Sequence, residues 1–452
     1  MASTASPLSV RSFHSVLLNT MVANVTTSFL WFAFSFWVYL ETRSVLASSL
    51  IGGSYMLLLA VLGVPFGTLV DHTRKKKVMV GATTVTAVAY AAALVFYLSV
   101  PRADLLALGS PTFWVFVTLI LAGAIVESMR GLALSTCVTL LVPEDRRANA
   151  NGLVGMANGI GFAVTSVFSG LVVGMLGMTW ALGISVALTA LALGHLAFVR
   201  IPEPEVVHSE DLPKKVDFRG AYLAIIAVPG LMALIFFSTF NNLLGGVFMA
   251  LMDPYGLTLV SVETWGLLWG VLSVGFMAGG AIVAKWGLGT RPLRALLLAN
   301  VAMWIVGILF TIRESIWITA AGILLYMVFI PVAEAAEQTV LQQVVPFEKQ
   351  GRVFGFAQSV EIAASPISTF IIGPVAQFWL IPYANSDPGR AQLGWLVGEG
   401  QARGIALVFV LSGVAGLALT LGAFGTRSYR VLTDHVAGAA RANPGEAEPA
   451  QA

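Results

Sequence analysis

The sequence predicts an all-α membrane protein, with twelve transmembrane helices in two pseudo-symmetric six-helix bundles. Composition, the length of the apolar runs and a duplicated loop carry that prediction. The chain has 452 residues, 57% hydrophobic and 11% charged, with a mean hydropathy of +0.86. Soluble proteins carry roughly 25% charged residues. A soluble core does not absorb this much apolar surface, so lipid is the solvent for most of the chain. A bilayer core about 30 Å thick takes roughly 20 helical residues per crossing. Val142-Pro143-Glu144-Asp145-Arg146-Arg147 runs on to Gly152, and Val345-Pro346-Phe347-Glu348-Lys349-Gln350 runs on to Gly355. Each is a short charged loop between long apolar runs, and at the same offset Gly170 meets Gly373. Two related halves in a membrane point toward a transport function.

The twelve runs fall at about 16–40, 48–70, 78–99, 113–141, 151–175, 178–199, 220–251, 260–284, 294–312, 316–342, 353–382 and 404–425. Their length excludes a barrel, whose strands are about 10 residues long and alternate in polarity. The first run is too long for a signal-peptide core and has no clear cleavage site after it, so it is expected as a retained first helix. Only Gly174 to Gly177 separates the fifth run from the sixth. Cys137 is the single cysteine and lies in an apolar run, which excludes an intramolecular disulfide and a cysteine metal site. No cofactor or metal is expected.

With an even number of crossings both ends lie on one side. Placing them in the cytoplasm puts 19 of the 25 Lys and Arg inside. Arg43, Arg102, Arg313, Arg390 and Arg403 fall outside, and Arg130 lies within a helix. This is a strong positive-inside bias. Residues 1–200 then form an N-terminal bundle, 201–218 a cytoplasmic linker rich in Pro and Glu, and 219–427 a C-terminal bundle. Residues 428–452, rich in Ala, Gly and Pro, are expected as a disordered cytoplasmic tail. The outer loop Tyr383 to Arg403 has room for a short interfacial helix.

Between the second and third runs stands Gly67-Thr68-Leu69-Val70-Asp71-His72-Thr73-Arg74-Lys75-Lys76-Lys77. Gly67 permits close helix approach. Asp71 stands at a helix end, where it can pair with a base or face another helix N-terminus. The basic cluster with Arg74, Lys75 and Lys76 holds the loop at the cytoplasmic surface. This stretch resembles the signature loop of the major facilitator superfamily, a resemblance extending over about residues 12–425. Pro143 to Gly152, with Arg146, Arg147, Asn149 and Asn151, is similar to the 4–5 loop of the drug-exporter branch that includes macrolide and siderophore exporters. Lys349 and Arg352 stand in the corresponding 10–11 loop. Two positions depart from the family pattern. Gly170 is followed by Leu171, the Gly-Pro pair occurring instead at Gly373-Pro374, and Gly280 is followed four residues on by Ala284.

The resemblance implies that helices 1, 4, 7 and 10 line a central cavity. Helix 1 presents Asn24, Ser28 and Trp31, helix 7 Ser238, Asn241 and Asn242, and helix 10 Gln338. Two readings stand for these stripes, cavity lining and helix–helix hydrogen bonding. Asn241 and Asn242 are adjacent and cannot share one face. Five ionisable groups stand at membrane depth, where insertion costs roughly 2.5–3.5 kcal/mol each. Glu127 and Arg130 share one face of helix 4 and can pair, or Arg130 can reach a helix 10 glutamate and act as a gate. Glu334 and Glu337 share one face of helix 10 with no base near in sequence. Neighbouring carboxyls in an apolar cavity can take and release protons as the cavity switches sides. Glu361 is a further candidate for this, or lies near the cytoplasmic mouth beside the Asp71 loop.

The expected function is secondary transport without enzymatic activity: proton-coupled efflux of hydrophobic or amphipathic small molecules by alternating access. The alternative is movement of a defined metabolite, siderophore or lysolipid on the same scaffold. Protons, a small-molecule substrate and the lipid bilayer are the expected partners, with no nucleic acid. A monomer in a bacterial plasma membrane is expected, multi-pass, with both termini cytoplasmic.

Overall fold

Long apolar runs leave the backbone no hydrogen-bond partner except itself, and the chain is accordingly helical almost throughout. The computed structural model describes residues 7–42, 45–203, 218–397 and 401–442; Arg43 and most of the expected linker, residues 204–217, lie outside them. Twelve long helices follow one another. They are α1 Pro7–Thr42, α2 Val45–His72, α3 Lys75–Ser99, α4 in two pieces Pro111–Glu127 and Met129–Leu141, α5 Arg147–Met175 and α6 Met178–Phe198. The second half holds α7 Leu231–Leu259, α8 in two pieces Val262–Leu272 and Val274–Trp286, α9 Pro292–Leu309, α10 Ile316–Val344, α11 Gln350–Val375 and α12 Gln401–Gly425. No strand occurs among the described residues. By length and apolarity 11 helices qualify as membrane spans. The remaining one, α11, carries Gln358, Ser359, Glu361 and Ser368 along its length.

Local sequence sets the boundaries. Ser110 caps α4, its hydroxyl accepting from Thr112 N at 3.2 Å, with Pro111 in the first turn. Gly177, at φ 83°, supplies the left-handed residue that separates α5 from α6, so four residues suffice for that boundary. The outer loop folds into Ile381–Asn385 and Asp387–Val397, meeting the expectation of a short helix there. The break in α4 at Ser128 and the proline inside α10, Pro331, stand at matching distances before Val142 and Val345. The repeated halves therefore place a break and a proline at corresponding points of corresponding helices.

The end of the molecule that carries Arg74–Lys77, Arg146, Arg147, Lys349 and Arg352 is called the basic end below. There α2 packs on α11 and α5 on α8. A Cβ on Gly67 would strike the Gly351 carbonyl, and one on Gly355 the Gly63 carbonyl. Gly152 stands against Val283 and Ala284, and Gly280 against Met156. Backbone meets backbone at both contacts, the packing that small residues allow in lipid. One apolar core at this end takes residues from both halves, among them Val70, Leu132, Val340 and Phe354. At the opposite end the core is divided. Phe34, Trp37, Phe113 and Phe116 form a cluster of the first half alone, and Phe248, Trp304, Phe310 and Phe409 one of the second half alone. The halves are joined at the basic end and separate at the other.

The expectation of a disordered tail fails for its first part. Arg427–Ala442 is a helix, α13, with Leu432 and Val436 buried in the shared core and Tyr429 packed against it. These three share one face at helical spacing, a pattern concealed by the Ala and Gly content around it. Residues 443–452 of the expected tail lie outside the described residues.

Candidate functional site: a cavity and two charge networks

At the break in α4, the Ser128 hydroxyl donates to the Ile125 carbonyl at 2.6 Å. Glu127 and Arg130 flank it and are both buried, Arg130 completely. Arg130 Nε donates to Glu127 Oε1 at 2.6 Å, one terminal nitrogen donates to Asn19 Oδ1 at 2.5 Å, and the other donates to the Thr83 hydroxyl. Thr86 Oγ1 lies 3.0 Å from Glu127 Oε2 and 3.0 Å from the Gly123 carbonyl. Asn19 in turn donates to the Ala192 carbonyl at 2.8 Å and stands 3.0 Å from His195 Nδ1. All these partners belong to the first half. Arg130 therefore does not reach a helix 10 glutamate, and the expected bridge between halves is replaced by a network tying α4 to α1, α3 and, through Asn19, α6. Its geometry satisfies the guanidinium with charge-assisted bonds.

A cavity of about 310 Å³ opens beside this network, between α1, α2, α4 and α5. Asn24, Thr27 and Ser28 of α1 and Asn158 and Thr165 of α5 give it amides and hydroxyls, while Phe32, Tyr55 and Phe162 give it aromatic walls. Glu127 reaches its surface with Arg130 behind it. Asn24 and Ser28 stand where the helix 1 stripe places them. Trp31 stacks on Tyr55 with ring centroids 4.4 Å apart, supporting the wall. The adjacent asparagines of α7 divide their tasks. Asn241 accepts from the Trp304 indole at 2.8 Å and donates to the Phe237 carbonyl at 2.8 Å, joining α7 to α9. Asn242 donates to the Ser238 carbonyl at 3.2 Å and is exposed.

The second network belongs to the other half. Glu337 of α10 lies beside Ser238 of α7 and Glu361 of α11. Glu337 and Glu361 each keep one buried oxygen without a partner, as does Gln338. Glu334 is exposed although it lies well inside α10. No base among the described residues pairs with these three carboxyls. A carboxylate only accepts, so a carboxyl–carboxyl hydrogen bond requires a proton on one member. Glu361 thus sits with Glu337 rather than beside the Asp71 loop.

At the basic end, Asp71 takes both partners the sequence allowed it. Oδ1 accepts from Gly351 N at 2.6 Å, and Oδ2 accepts from Arg352 N and Nε, each at 3.0 Å. The carboxylate therefore caps α11 and pairs with its first-turn arginine across the halves. Lys75 Nζ donates to the Val70 carbonyl at 2.8 Å and lies 5.2 Å from the Phe347 ring centroid. Lys76 Nζ donates to the Val199 carbonyl at 2.7 Å. Arg147 reaches the Gln342 carbonyl at 3.4 Å, whereas Arg146 is exposed beside Asp145. Gly67 is the close-approach residue, Arg74 is the N-cap of α3, and Lys349 is exposed.

The 4–5 loop resemblance marked Asn149 and Asn151 in the chain, but not the partners they meet across space. Asn149 donates to the Ala284 carbonyl at 2.9 Å, and Asn151 donates to Thr339 Oγ1 at 3.0 Å and Gln342 Oε1 at 2.9 Å. Asn149 stands at the same offset from Arg352 that relates the two loops, and Ala284 is four residues past Gly280 as Asp71 is past Gly67. The α5–α8 contact is thus a neutral counterpart of the ionic α2–α11 contact, using a backbone carbonyl where the carboxylate is missing.

Residues 16–369 match the family model described as Major Facilitator Superfamily. Among curated relatives, macrolide efflux protein A of Streptococcus pyogenes is 23% identical over 374 residues, spanning 79% of this chain and 88% of that protein. The protein of the same name from Enterococcus faecalis is 24% identical, spanning 72% of this chain and 98% of that one. Among solved structures, the human organic anion transporter MFSD10 has a TM-score of 0.65 at 15% identity, covering 92% of this chain and 100% of that one. The proton:xylose symporter XylE has a TM-score of 0.66 at 13% identity, covering 93% and 96%.

Proposed function

Since the chain belongs to the Major Facilitator Superfamily and is a multi-pass membrane transporter, we propose that it exports hydrophobic or amphipathic small molecules in exchange for protons, by alternating access. The observation that carries the coupling is the base-free carboxyl set on α10 and α11, in which Glu337 and Glu361 stand side by side and a hydrogen bond between them takes a proton on one member. Glu334 offers an exposed entry to that pair, and a swing of the halves changes which side it meets. Efflux is supported by the macrolide efflux relatives and by the cavity, whose only carboxyl among the described residues, Glu127, is already paired with Arg130. Such a surface suits ligands held by apolar contact and a few hydrogen bonds rather than by charge.

In this reading the basic end is cytoplasmic, as the positive-inside bias requires, both termini are cytoplasmic, and the arrangement is open to the outside. The protein acts as a monomer in a bacterial plasma membrane. The residues with roles in it are Glu334, Glu337 and Glu361 for the proton, Asn24, Ser28 and Asn158 for the substrate, and Asp71 with Arg352 for the inner gate. The amide and hydroxyl groups from α1 and α5 favour a second reading, a defined metabolite, siderophore or lysolipid; a panel of fluorescent apolar substrates separates the two.

The test uses proteoliposomes with an imposed pH gradient. Glu337→Gln abolishes uphill, proton-driven substrate accumulation and leaves downhill exchange intact. Unchanged uphill accumulation in that variant rejects the coupling assignment.

A further inference from the structure

The α8–α9 hairpin carries a second pocket, far in sequence from the first-half cavity and at the basic end. It measures about 410 Å³ and is lined by Leu288, Thr290, Arg291, Arg294, Ala295 and Leu298. Arg291, Arg294, Ala295 and Leu298 follow helical spacing, so one face of the start of α9 passes from charged to apolar within two turns. Both arginines are exposed, and among the described residues neither is in an ion pair with a carboxylate. Leu298 is 50% exposed, which on a membrane-spanning helix means contact with acyl chains. The depth of the pocket is marked independently. Trp286, at the end of α8, is 68% exposed, and the Lys285 ammonium lies 4.7 Å from its ring centroid. Exposed tryptophan with lysine belongs to the headgroup layer.

We propose that this pocket binds the phosphate headgroup of an anionic lipid, with Arg291 and Arg294 contacting the phosphodiester, Thr290 donating its hydroxyl, and Leu288 and Leu298 contacting the adjoining acyl chain. Guanidinium groups match phosphate oxygens in a two-pronged geometry, and two of them lining one recess give a diester more than a diffuse basic surface does. Inorganic phosphate shares the oxygens but has nothing to place on Leu298, so the apolar continuation selects the lipid. Basic pockets at the cytoplasmic ends of membrane helices are suited to such headgroups.

The experiment reconstitutes the full chain in nanodiscs of phosphatidylcholine with a minor fraction of phosphatidylglycerol, and counts retained lipids by native mass spectrometry after mild detergent release. The wild type retains phosphatidylglycerol in preference to phosphatidylcholine. R291Q/R294Q lowers that preference about thirtyfold, the combined effect of two basic residues at an anionic surface. R102Q/R313Q, at the opposite end, leaves it unchanged, and inorganic phosphate displaces no more lipid than chloride at equal ionic strength. Equal retention in R291Q/R294Q overturns the site, and displacement by inorganic phosphate beyond that of chloride overturns the lipid as its occupant. Should the glutamine pair not fold, the wild type alone decides: rising salt weakens phosphatidylglycerol retention and spares phosphatidylcholine. Salt-independent retention overturns the proposal.

Discussion

Glu127 and Arg130 show how far single residues were readable. Their spacing of three predicts a shared helix face and an ion pair, and both are present. What the spacing does not contain is the ring of neutral partners, Asn19, Thr83 and Thr86, because those lie on α1 and α3 and meet α4 only after folding. The same holds for Asn241, whose partner Trp304 stands on α9, and for Glu361, whose partner Glu337 stands on α10. Removing one member of a buried ion pair leaves an uncompensated charge, at about 3–5 kcal/mol. Glu127→Leu is therefore expected to lower the unfolding temperature in detergent sharply, and the double variant Glu127→Leu/Arg130→Leu to recover much of the loss. Additive destabilisation in the double variant would show that the pair itself contributes little to folding.

Among the elements, the two contacts between the halves at the basic end differ in chemistry although the repeat relates them. α2 meets α11 through the Asp71 carboxylate, with Arg352 and the α11 N-terminus as donors; α5 meets α8 through Asn149 and a backbone carbonyl. Hydrogen bonds to charged groups contribute about 1.5–3 kcal/mol and neutral ones about 1 kcal/mol. Asp71→Asn is expected to move the population toward an open basic end by tenfold or more, and Asn149→Ala by about fivefold, read from electron–electron distances across that end. A larger shift for Asn149→Ala would reverse this ranking. A leucine at Gly355 has no room beside Gly63 and is expected to hold the basic end apart, giving one broad distance distribution. The existence of the elements was legible: the apolar runs became helical, those at 113–141, 220–251 and 260–284 in two pieces each, and the duplicated loops became matching turns. The signature-like loop also announced its glycine and aspartate. The degenerate copy at Gly280 and Ala284 concealed the second contact, because a backbone carbonyl serves there and leaves no side chain to find. The tail helix α13 escaped for a related reason, since three anchoring residues are diluted by alanine and glycine.

For the whole molecule, the doubling and the charge bias were visible in the chain, whereas the state of the gate was not. Alternate states of one transporter share one sequence, so no residue pattern selects between them. The division of the cores does: one at the basic end, two at the other. Spin labels at Ala107→Cys and Arg313→Cys, in a Cys137→Ser background, are expected to approach when substrate or a pH gradient drives the swing, while labels at Arg146→Cys and Lys349→Cys separate. Distances that move together would instead indicate rigid displacement without alternation. The divided core also fixes a calorimetric property. Parting the basic end hydrates apolar side chains from the shared cluster, and closing the other end dehydrates the amides and hydroxyls of the cavity wall. Hydrating apolar surface raises heat capacity, and so does drying polar surface, because its exposure lowers it. The two contributions have the same sign, so the conformational equilibrium of this chain acquires a curved van't Hoff plot, with the arrangement described here most populated over a middle band of temperature and yielding on both cooling and warming.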